Sequence, residues 1–218
     1  YNNNNNLSLR NIDLEILPNL NFLSVINVED GLIEISKNNI FIKDLNLNNK
    51  HGESSINASI EFYDTLLYNV DFQIHRYNFT KYPNIYDILF NNTQLLLNGN
   101  INNWEYSLKG NYTINNERNG KIISIGSSNL DMIFTSTEIW ENKNKKVELV
   151  NDYNISNGNW KLYSSIHNFQ LPMVKNNYIL SGNIDSYGHL IKTIQSSIDI
   201  SFHDEENNIN LKDISGKI

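Results

Sequence analysis

The stretch 95–114, LLLNGNINNWEYSLKGNYTI, constrains the fold more than any other part of the chain. Leu95, Leu97, Gly99 and Ile101 occupy every second position, and the alternation resumes in a new phase at Trp104. A period of two residues is typical of a β-strand with one apolar face, and the phase break at Asn102 and Asn103 predicts a turn. The stretch therefore predicts two strands whose apolar side chains share one face.

The same alternation runs along nearly the whole chain and predicts an all-β fold. We expect one long, continuous antiparallel sheet, strongly curved and twisted, that forms a single unit over residues 1–218. One or two short helices are expected, at 84–90, where Ile85, Ile88 and Leu89 follow Pro83 at helical spacing, and at 19–25. The predicted strands lie near 7–17, 31–36, 39–48, 54–63, 66–77, 93–101, 104–115, 120–126, 129–139, 146–154, 159–169, 177–184, 190–202 and 207–214.

Two short patterns recur within these strands. The pattern apolar, any, apolar, basic, Asn or Asp, apolar occurs at 7–12, 40–45 and 209–214. The basic residue and its neighbour shift the alternation by one position, so each copy predicts a β-bulge or bend. The sequences LNGNI at 97–101 and LSGNI at 180–184 place a glycine inside a strand, which predicts a bend or a close backbone approach.

Composition and charge exclude several classes of function. The net charge of −7 and the pI of about 5.2 argue against a nucleic-acid partner, which a basic stripe would serve. The one basic cluster, Lys143, Lys145 and Lys146, is interpreted as a solvated turn in preference to the alternative, a phosphate site. The chain has no cysteine and no apolar run long enough to span a membrane as a helix.

No catalytic, metal-binding or cofactor-binding motif is found. The five histidines are scattered singly, and no phosphate loop or nucleophile elbow is present. Trp104, Trp140 and Trp160 suggest a sugar-binding platform, although packing on a buried sheet face is the favoured interpretation. The sequence predicts a protein that is not an enzyme and that needs neither metal nor cofactor.

A longer succession of features resembles a known family. Strands from IFIKDLNLNN to SSINASIEF flank Gly52, and LLYNVDFQIHRYNF then leads to TKYP. NIYDILFNN and QLLLNGNINNWEYSLKG follow, and the chain ends in INLKDISGKI. This succession resembles the repeats of the TamB family of translocation and assembly module proteins, within the wider AsmA-like group. The register recurs at 7–31, 40–114 and 160–184, whereas 120–151 matches least well.

The resemblance implies a fold and a function. Members of the family form a long, open β-groove, likened to a taco, with an apolar concave face and a polar outer face. The implied protein lies in the periplasm, is anchored in the bacterial inner membrane through a segment outside this chain, and works with an Omp85-class, TamA-like outer-membrane barrel through other parts of the protein. The implied role is to conduct phospholipid to the outer membrane, to support outer-membrane protein assembly, or both.

The alternation and the family resemblance together indicate which residues would contact phospholipid acyl chains. The nominated groove-lining residues are Ile40, Ile42, Leu95, Leu97, Ile101, Trp104, Tyr106, Leu108, Ile198 and Ile200. The alternative is a non-enzymatic surface adhesin or binding module, built as a β-sandwich or β-solenoid, which would cover the same apolar face and leave no trough. A polysaccharide-active β-helix enzyme would instead show clustered carboxylates on one exposed strand face, and the sequence shows no such cluster.

Overall fold

The fold is known from a computed structural model that describes residues 5–14, 26–78, 87–142, 145–170, 178–189, 193–204 and 209–217. These residues form one sheet of fourteen antiparallel strands, each hydrogen-bonded to the strands before and after it in the chain. The strands are β1 (Asn5–Leu14), β2 (Ile26–Ile35), β3 (Asn39–Asn49), β4 (Gly52–Phe62), β5 (Leu66–Asn78), β6 (Ile88–Asn100), β7 (Trp104–Ile114), β8 (Arg118–Ser128), β9 (Met132–Asn142), β10 (Lys145–Asn154), β11 (Asn159–Gln170), β12 (Tyr178–His189), β13 (Thr193–Asp204) and β14 (Ile209–Lys217).

The order of strands confirms the prediction of an open all-β sheet. β1 and β14 are its two edges, and every extensive contact between described strands joins sequence neighbours. No second layer therefore packs on either face within the described part of the chain.

The predicted short helices are not found where the structure can be described. The predicted helix at 84–90 is wrong over its second half, because β6 begins at Ile88 and Phe90 lies within it. Ile88 pairs with Ile114 and Phe90 pairs with Tyr112, so the strand alternation of these residues prevails over their helical spacing. The predicted helix at 19–25 lies outside the described residues.

The register divides the side chains of the sheet into two faces. Residues directly opposite each other in neighbouring strands point to the same side. Leu95 lies opposite Leu108, and Leu97 lies opposite Tyr106, so these four side chains share one side. We call this side the inner face and the other side, which carries Glu105, the outer face.

Bulges keep the apolar residues on the inner face where the alternation slips. The predicted bulge in β3 is confirmed: Ile42 pairs with Ala58 and Leu45 pairs with Ile56, with Asp44 in a left-handed conformation (φ 48°) between them. Asn57 of β4 accepts a hydrogen bond from the Asp44 N–H at 2.9 Å, so the displaced backbone donor is satisfied.

The other two copies of the pattern behave differently from each other. In β14 the pairing with β13 shifts across residues 212 and 213, as the pattern predicts. In β1 the pairing with β2 does not shift, because β2 has irregularities of its own between Val28 and Leu32, where it pairs with β3.

Two glycines in related sequences allow neighbouring backbones to approach closely. Gly99 (φ 136°) and Gly182 (φ 143°) adopt conformations that L side chains rarely take. A Cβ at Gly99 would overlap the backbone of Asn103 and Trp104, and a Cβ at Gly182 would overlap the backbone of Asp199 and Ile200. The predicted close approach is confirmed at both positions.

The sheet curves toward its inner face at the end where β8 begins. The guanidinium of Arg118 in β8 donates a hydrogen bond of 2.6 Å to the backbone carbonyl of Gln170 in β11. In a flat sheet these strands would lie about 14 Å apart, beyond the reach of an arginine side chain. The hydroxyl of Tyr112 in β7 likewise reaches the carbonyl oxygen of Trp140 in β9, at 3.4 Å. The inner face is therefore concave here.

Candidate functional site

The candidate functional site is the inner face, because apolar side chains follow one another across it from strand to strand. In the first half of the sheet, cross-strand neighbours form a row of aliphatic and aromatic residues, and in the second half a similar row lies one step closer to the Arg118 end. The first row is Leu45, Ile56, Phe72, Leu95 and Leu108, and the second is Ile122, Ile139, Val147, Ile166, Gly182 and Ile200. The rows meet between β7 and β8.

Side chains of the inner face are packed against one another, and no second layer formed by the described residues covers them. Most of the row residues are half-buried, and among all described apolar residues only Val28, Leu45, Tyr112, Ile114 and Ile166 are nearly or fully buried. A face that is apolar and half-buried, with no second layer over it, can still bury further apolar surface against another molecule.

Nine of the ten residues nominated from the sequence lie on the inner face. They are Ile40, Ile42, Leu95, Leu97, Trp104, Tyr106, Leu108, Ile198 and Ile200, all half-buried. Ile101 does not: it lies in the turn after β6 and is 76% exposed. The Asn100 side chain accepts hydrogen bonds from the backbone N–H groups of Asn102 and Asn103, so the strand ends one residue earlier than the alternation suggests.

The three tryptophans do not form a common platform. Trp104 and Trp160 lie on the inner face, whereas Trp140 lies on the outer face opposite Lys121. Trp104 stacks with Tyr106 two residues along the same strand, with ring centroids 6.1 Å apart. The aromatic residues of β7 thus belong to the inner face, in agreement with packing rather than with a shared sugar platform.

The inner face changes character between β7 and β9. The Tyr106 ring lies where a Cβ on Gly126 would be, and its hydroxyl is 3.0 Å from the Ser124 hydroxyl. Ser124 in turn lies 2.7 Å from the Thr137 hydroxyl. A chain of hydroxyl groups therefore crosses the inner face here, beside the second apolar row.

A charged cluster lies at the end of the inner face where the sheet curves. Arg118 forms an ion pair with Glu141, whose side chain is only 5% exposed, and Lys145 lies 3.9 Å from the same carboxylate. The Lys145 ammonium also donates a hydrogen bond of 3.1 Å to the side-chain oxygen of Gln170. The sequence did not reveal this cluster, because Arg118, Glu141, Lys145 and Gln170 come from four strands and are spread over 53 positions of the chain.

Burial and the neighbouring charged cluster together raise the pKa of Tyr112. Tyr112 is 6% exposed, and burial, followed by the nearby Glu141 carboxylate, raises its pKa to about 12, with Arg118 opposing the shift. A neutral Tyr112 hydroxyl is therefore available as a hydrogen-bond donor throughout the physiological pH range.

Lysines 145 and 146 also correct an expectation from the sequence. Both belong to β10 and are half-buried, so their interpretation as part of a solvated turn is wrong; Lys143 lies outside the described residues. Strand alternation sends their side chains to opposite faces, Lys145 to Glu141 and Lys146 to Glu138 and Glu148.

The pair of carboxylates on the outer face does not resemble a hydrolase site. Glu138 and Glu148 lie directly opposite each other, and Lys146 forms an ion pair with both. A hydrogen bond from the Trp140 indole, together with Lys146, holds the pKa of Glu138 below its usual value. A general acid needs a raised pKa, so Glu138 is not suited to that role.

Two open hollows of the outer face lie in the second half of the sheet. One, of about 480 Å³, contains Asp152, Lys161 and Tyr187 near the turn at 155–158. The other, of about 630 Å³, lies beside Trp140, with Asn111 and Lys121 on its wall. Within the described ranges no three His, Asp or Glu side chains are grouped so as to hold a metal ion. Nor does any helix in that part of the chain have the length and apolarity to cross a membrane.

Comparison of the chain with protein-family models, with curated proteins and with solved structures finds no match.

Proposed function

We propose that this chain is part of a periplasmic protein whose apolar inner face conducts phospholipid toward the outer membrane, or supports outer-membrane protein assembly by the same surface. In this proposal the protein is anchored in the inner membrane through a segment outside this chain and works with an Omp85-class barrel through other parts of the protein. The chain itself contributes a stretch of path and no catalysis.

The observation that carries the proposal is the continuous apolar inner face, over which the described part of the chain places no covering layer. Its two rows extend from β3 to β13, ten strand spacings, or about 48 Å at a typical spacing. Burial of a lipid tail contributes about 0.8 kcal/mol per CH₂ group, and neighbouring positions in a row offer similar contacts. A tail can then move along the row by exchanging equivalent contacts, without a deep site.

The adhesin alternative has less support from the geometry. A β-sandwich would cover the inner face with a second sheet, and a β-solenoid would coil its strands in parallel. The described strands instead form one antiparallel layer. The outer-face hollow at Tyr187 is the feature that would favour a binding module, since an exposed aromatic ring and polar neighbours line it.

Two adjacent leucines of β6 provide a matched test. Leu97 lies on the inner face, and Leu96 lies on the outer face and is 41% exposed. A photoreactive residue placed at each position in turn, in the intact protein in cells, should crosslink phospholipid from position 97 and not from position 96. Crosslinks at neither position, or equally at both, would contradict a one-faced lipid path.

A charge at the same two positions tests transport. Leu97→Asp introduces a carboxylate into the apolar row and should impair lipid transfer, whereas Leu96→Asp leaves the inner face unchanged. The two variants should be compared at equal cellular amounts, because loss of protein alone would also reduce transfer. Normal transfer by a folded Leu97→Asp variant would exclude this residue from the path.

A further inference from the structure

We propose that the charged cluster of Arg118, Glu141 and Lys145 binds the phosphodiester head group of a lipid whose acyl chain lies on the second apolar row. This inference deepens the proposed function and depends on it. It gives the inner face a defined binding site for the polar end of an amphiphile, at the curved end of the sheet.

The position of the cluster fits an amphiphile. Glu141 and Ile139 are two residues apart in β9, about 7 Å along the strand, and Ile139 belongs to the second apolar row. On the next strands the same row continues through Val147 and Ile166, of which Ile166 is only 8% exposed. A charged group and an apolar row at this spacing match the head and the tail of one lipid.

The charge of the cluster fits a phosphodiester. Arg118 and Lys145 carry two positive charges against the one negative charge of Glu141, so the three residues have a net charge of +1. A phosphodiester carries one negative charge, and its binding would neutralise the cluster in a partly desolvated place, where an unbalanced charge is unfavourable.

Hydrogen-bond donors remain for such a group. The Arg118 guanidinium uses Nε and Nη2 toward Glu141 and Gln170, and Nη1 has no hydrogen-bond partner among the described residues. Lys145 donates one hydrogen bond, to Gln170, and its side chain remains 27% exposed, against 22% for Arg118. Both cations can therefore be reached from outside, whereas the Glu141 carboxylate is buried beneath them.

The test compares two lipids with the same tail. The full chain should be titrated below the micelle concentration with 1-oleoyl-lysophosphatidylglycerol and with 1-monooleoylglycerol, by displacement of a fluorescent lipid without a phosphate. We expect the phosphate-bearing lipid to bind about tenfold more tightly, because charge-assisted hydrogen bonds add to the burial of the tail. Lys145→Gln should reduce this preference to about twofold or threefold, and Lys145→Arg should retain it.

Matched controls separate a local effect from a general one. Lys43→Gln removes a lysine from an exposed ion pair on the outer face and should leave both affinities unchanged. Inorganic phosphate, added as a competitor, should not displace the lysophospholipid at millimolar concentration.

The possible failures are distinguishable. Equal affinity for the two lipids, or a preference that survives Lys145→Gln, would overturn the head-group site and leave the proposed lipid path intact. Displacement by inorganic phosphate with the same dependence on Lys145 would replace it with a site for a free anion. Failure of both lipids to bind would contradict the proposed function itself.

Discussion

The two halves of the inner face are both packed from strand to strand, but they use different kinds of side chain. Between β3 and β6 the face is formed largely by aliphatic residues and Phe72, in cross-strand pairs such as Ile40 with Ile60 and Val70 with Leu97. From β7 to β11 it combines tyrosines that lie over glycines, a chain of hydroxyl groups and an ion pair whose carboxylate is nearly buried.

The difference shows that one sheet can have a curvature fixed by particular side chains in one region and a repetitive aliphatic surface in another. Aliphatic cross-strand pairs stabilise a sheet without fixing a particular distance between strands that are not neighbours. Arg118 and Tyr112 do fix such distances, because each reaches across at least one intervening strand. The second half therefore has a defined curvature, and it is the half where polar atoms can distinguish one ligand from another.

The largest expected loss of stability comes from breaking the ion pair of the second half, and the ion pair of the first half provides its comparison. Arg118→Met leaves the nearly buried Glu141 carboxylate without its closest cation, and it should lower the free energy of unfolding by about 3 kcal/mol. Lys43→Met breaks the exposed pair with Glu34 in the first half and should lower it by less than about 1 kcal/mol. Chemical denaturation measures both, and equal losses would show that the cluster is not effectively buried.

Overpacking at glycine should have the next largest effect. The Tyr112 ring lies where a Cβ on Gly120 would be, so Gly120→Val must displace the ring or the strand. We expect a loss of about 1 to 3 kcal/mol in the free energy of unfolding, measured by urea denaturation. Ala58→Val on the inner face of β4 is the control in the aliphatic half, and a β-branched residue there should have a smaller effect. A neutral Gly120→Val variant would mean that Tyr112 can rotate away freely.

The hydroxyl chain should contribute less. Ser124 is 6% exposed and lies between the hydroxyls of Tyr106 and Thr137. Ser124→Ala should lower the free energy of unfolding by about 1 kcal/mol, since it removes hydrogen bonds and leaves two hydroxyls to find other partners. Ser59→Ala, on the outer face of β4, should change it by less than about 0.5 kcal/mol. If the two serine variants were equally stable, the hydroxyl chain would have no measurable role.

The smallest effect is expected for the pKa of Tyr112 and its contribution to the free energy of unfolding. Below pH 10 the stabilising effect of the raised Tyr112 pKa is fully present, and it is lost as the pH rises to about 12, because the unfolded chain releases this proton first. Glu141→Gln should lower the pKa of Tyr112 but leave it above the ordinary value, since burial, the larger cause, remains. NMR of tyrosines labelled with ¹³C at Cζ, assigned with Tyr112→Phe, would follow it.

A matched carboxylate in the first half provides the control for this titration. Glu34→Gln removes a partner of Lys43, far along the chain from Tyr112, and should leave the Tyr112 curve unchanged. A Tyr112 pKa that did not respond to Glu141→Gln would contradict the electrostatic contact between these two residues.

Local patterns in the sequence predicted most of the sheet. Period-two alternation predicted fourteen strands, and it placed Leu95, Leu97 and Leu108 on one face because successive side chains in a strand point to opposite sides. The helix predicted from helical spacing was wrong from Ile88 onward, where β6 begins. The alternation itself was wrong at Ile101, where an asparagine turn ends the strand early.

The candidate site was predictable only in part. Its apolar residues follow from alternation, but the polar cluster does not, because Arg118, Glu141 and Gln170 are distant in sequence and none belongs to a motif. The pairing of Tyr112 with Gly120 and of Tyr106 with Gly126 likewise depends on a strand register that two separate segments set together.

What the sequence by itself determined is the unit of construction: strands of about eleven residues, antiparallel neighbours, bulges at basic–acidic pairs and one apolar face. These features depend on interactions between residues that are close along the chain or in the adjoining strand. Only the tertiary structure decided that the sheet curves toward its apolar face at Arg118 and that a buried carboxylate lies beside two cations there. Curvature brings together strands that are not neighbours, and no local pattern of side chains specifies those distances.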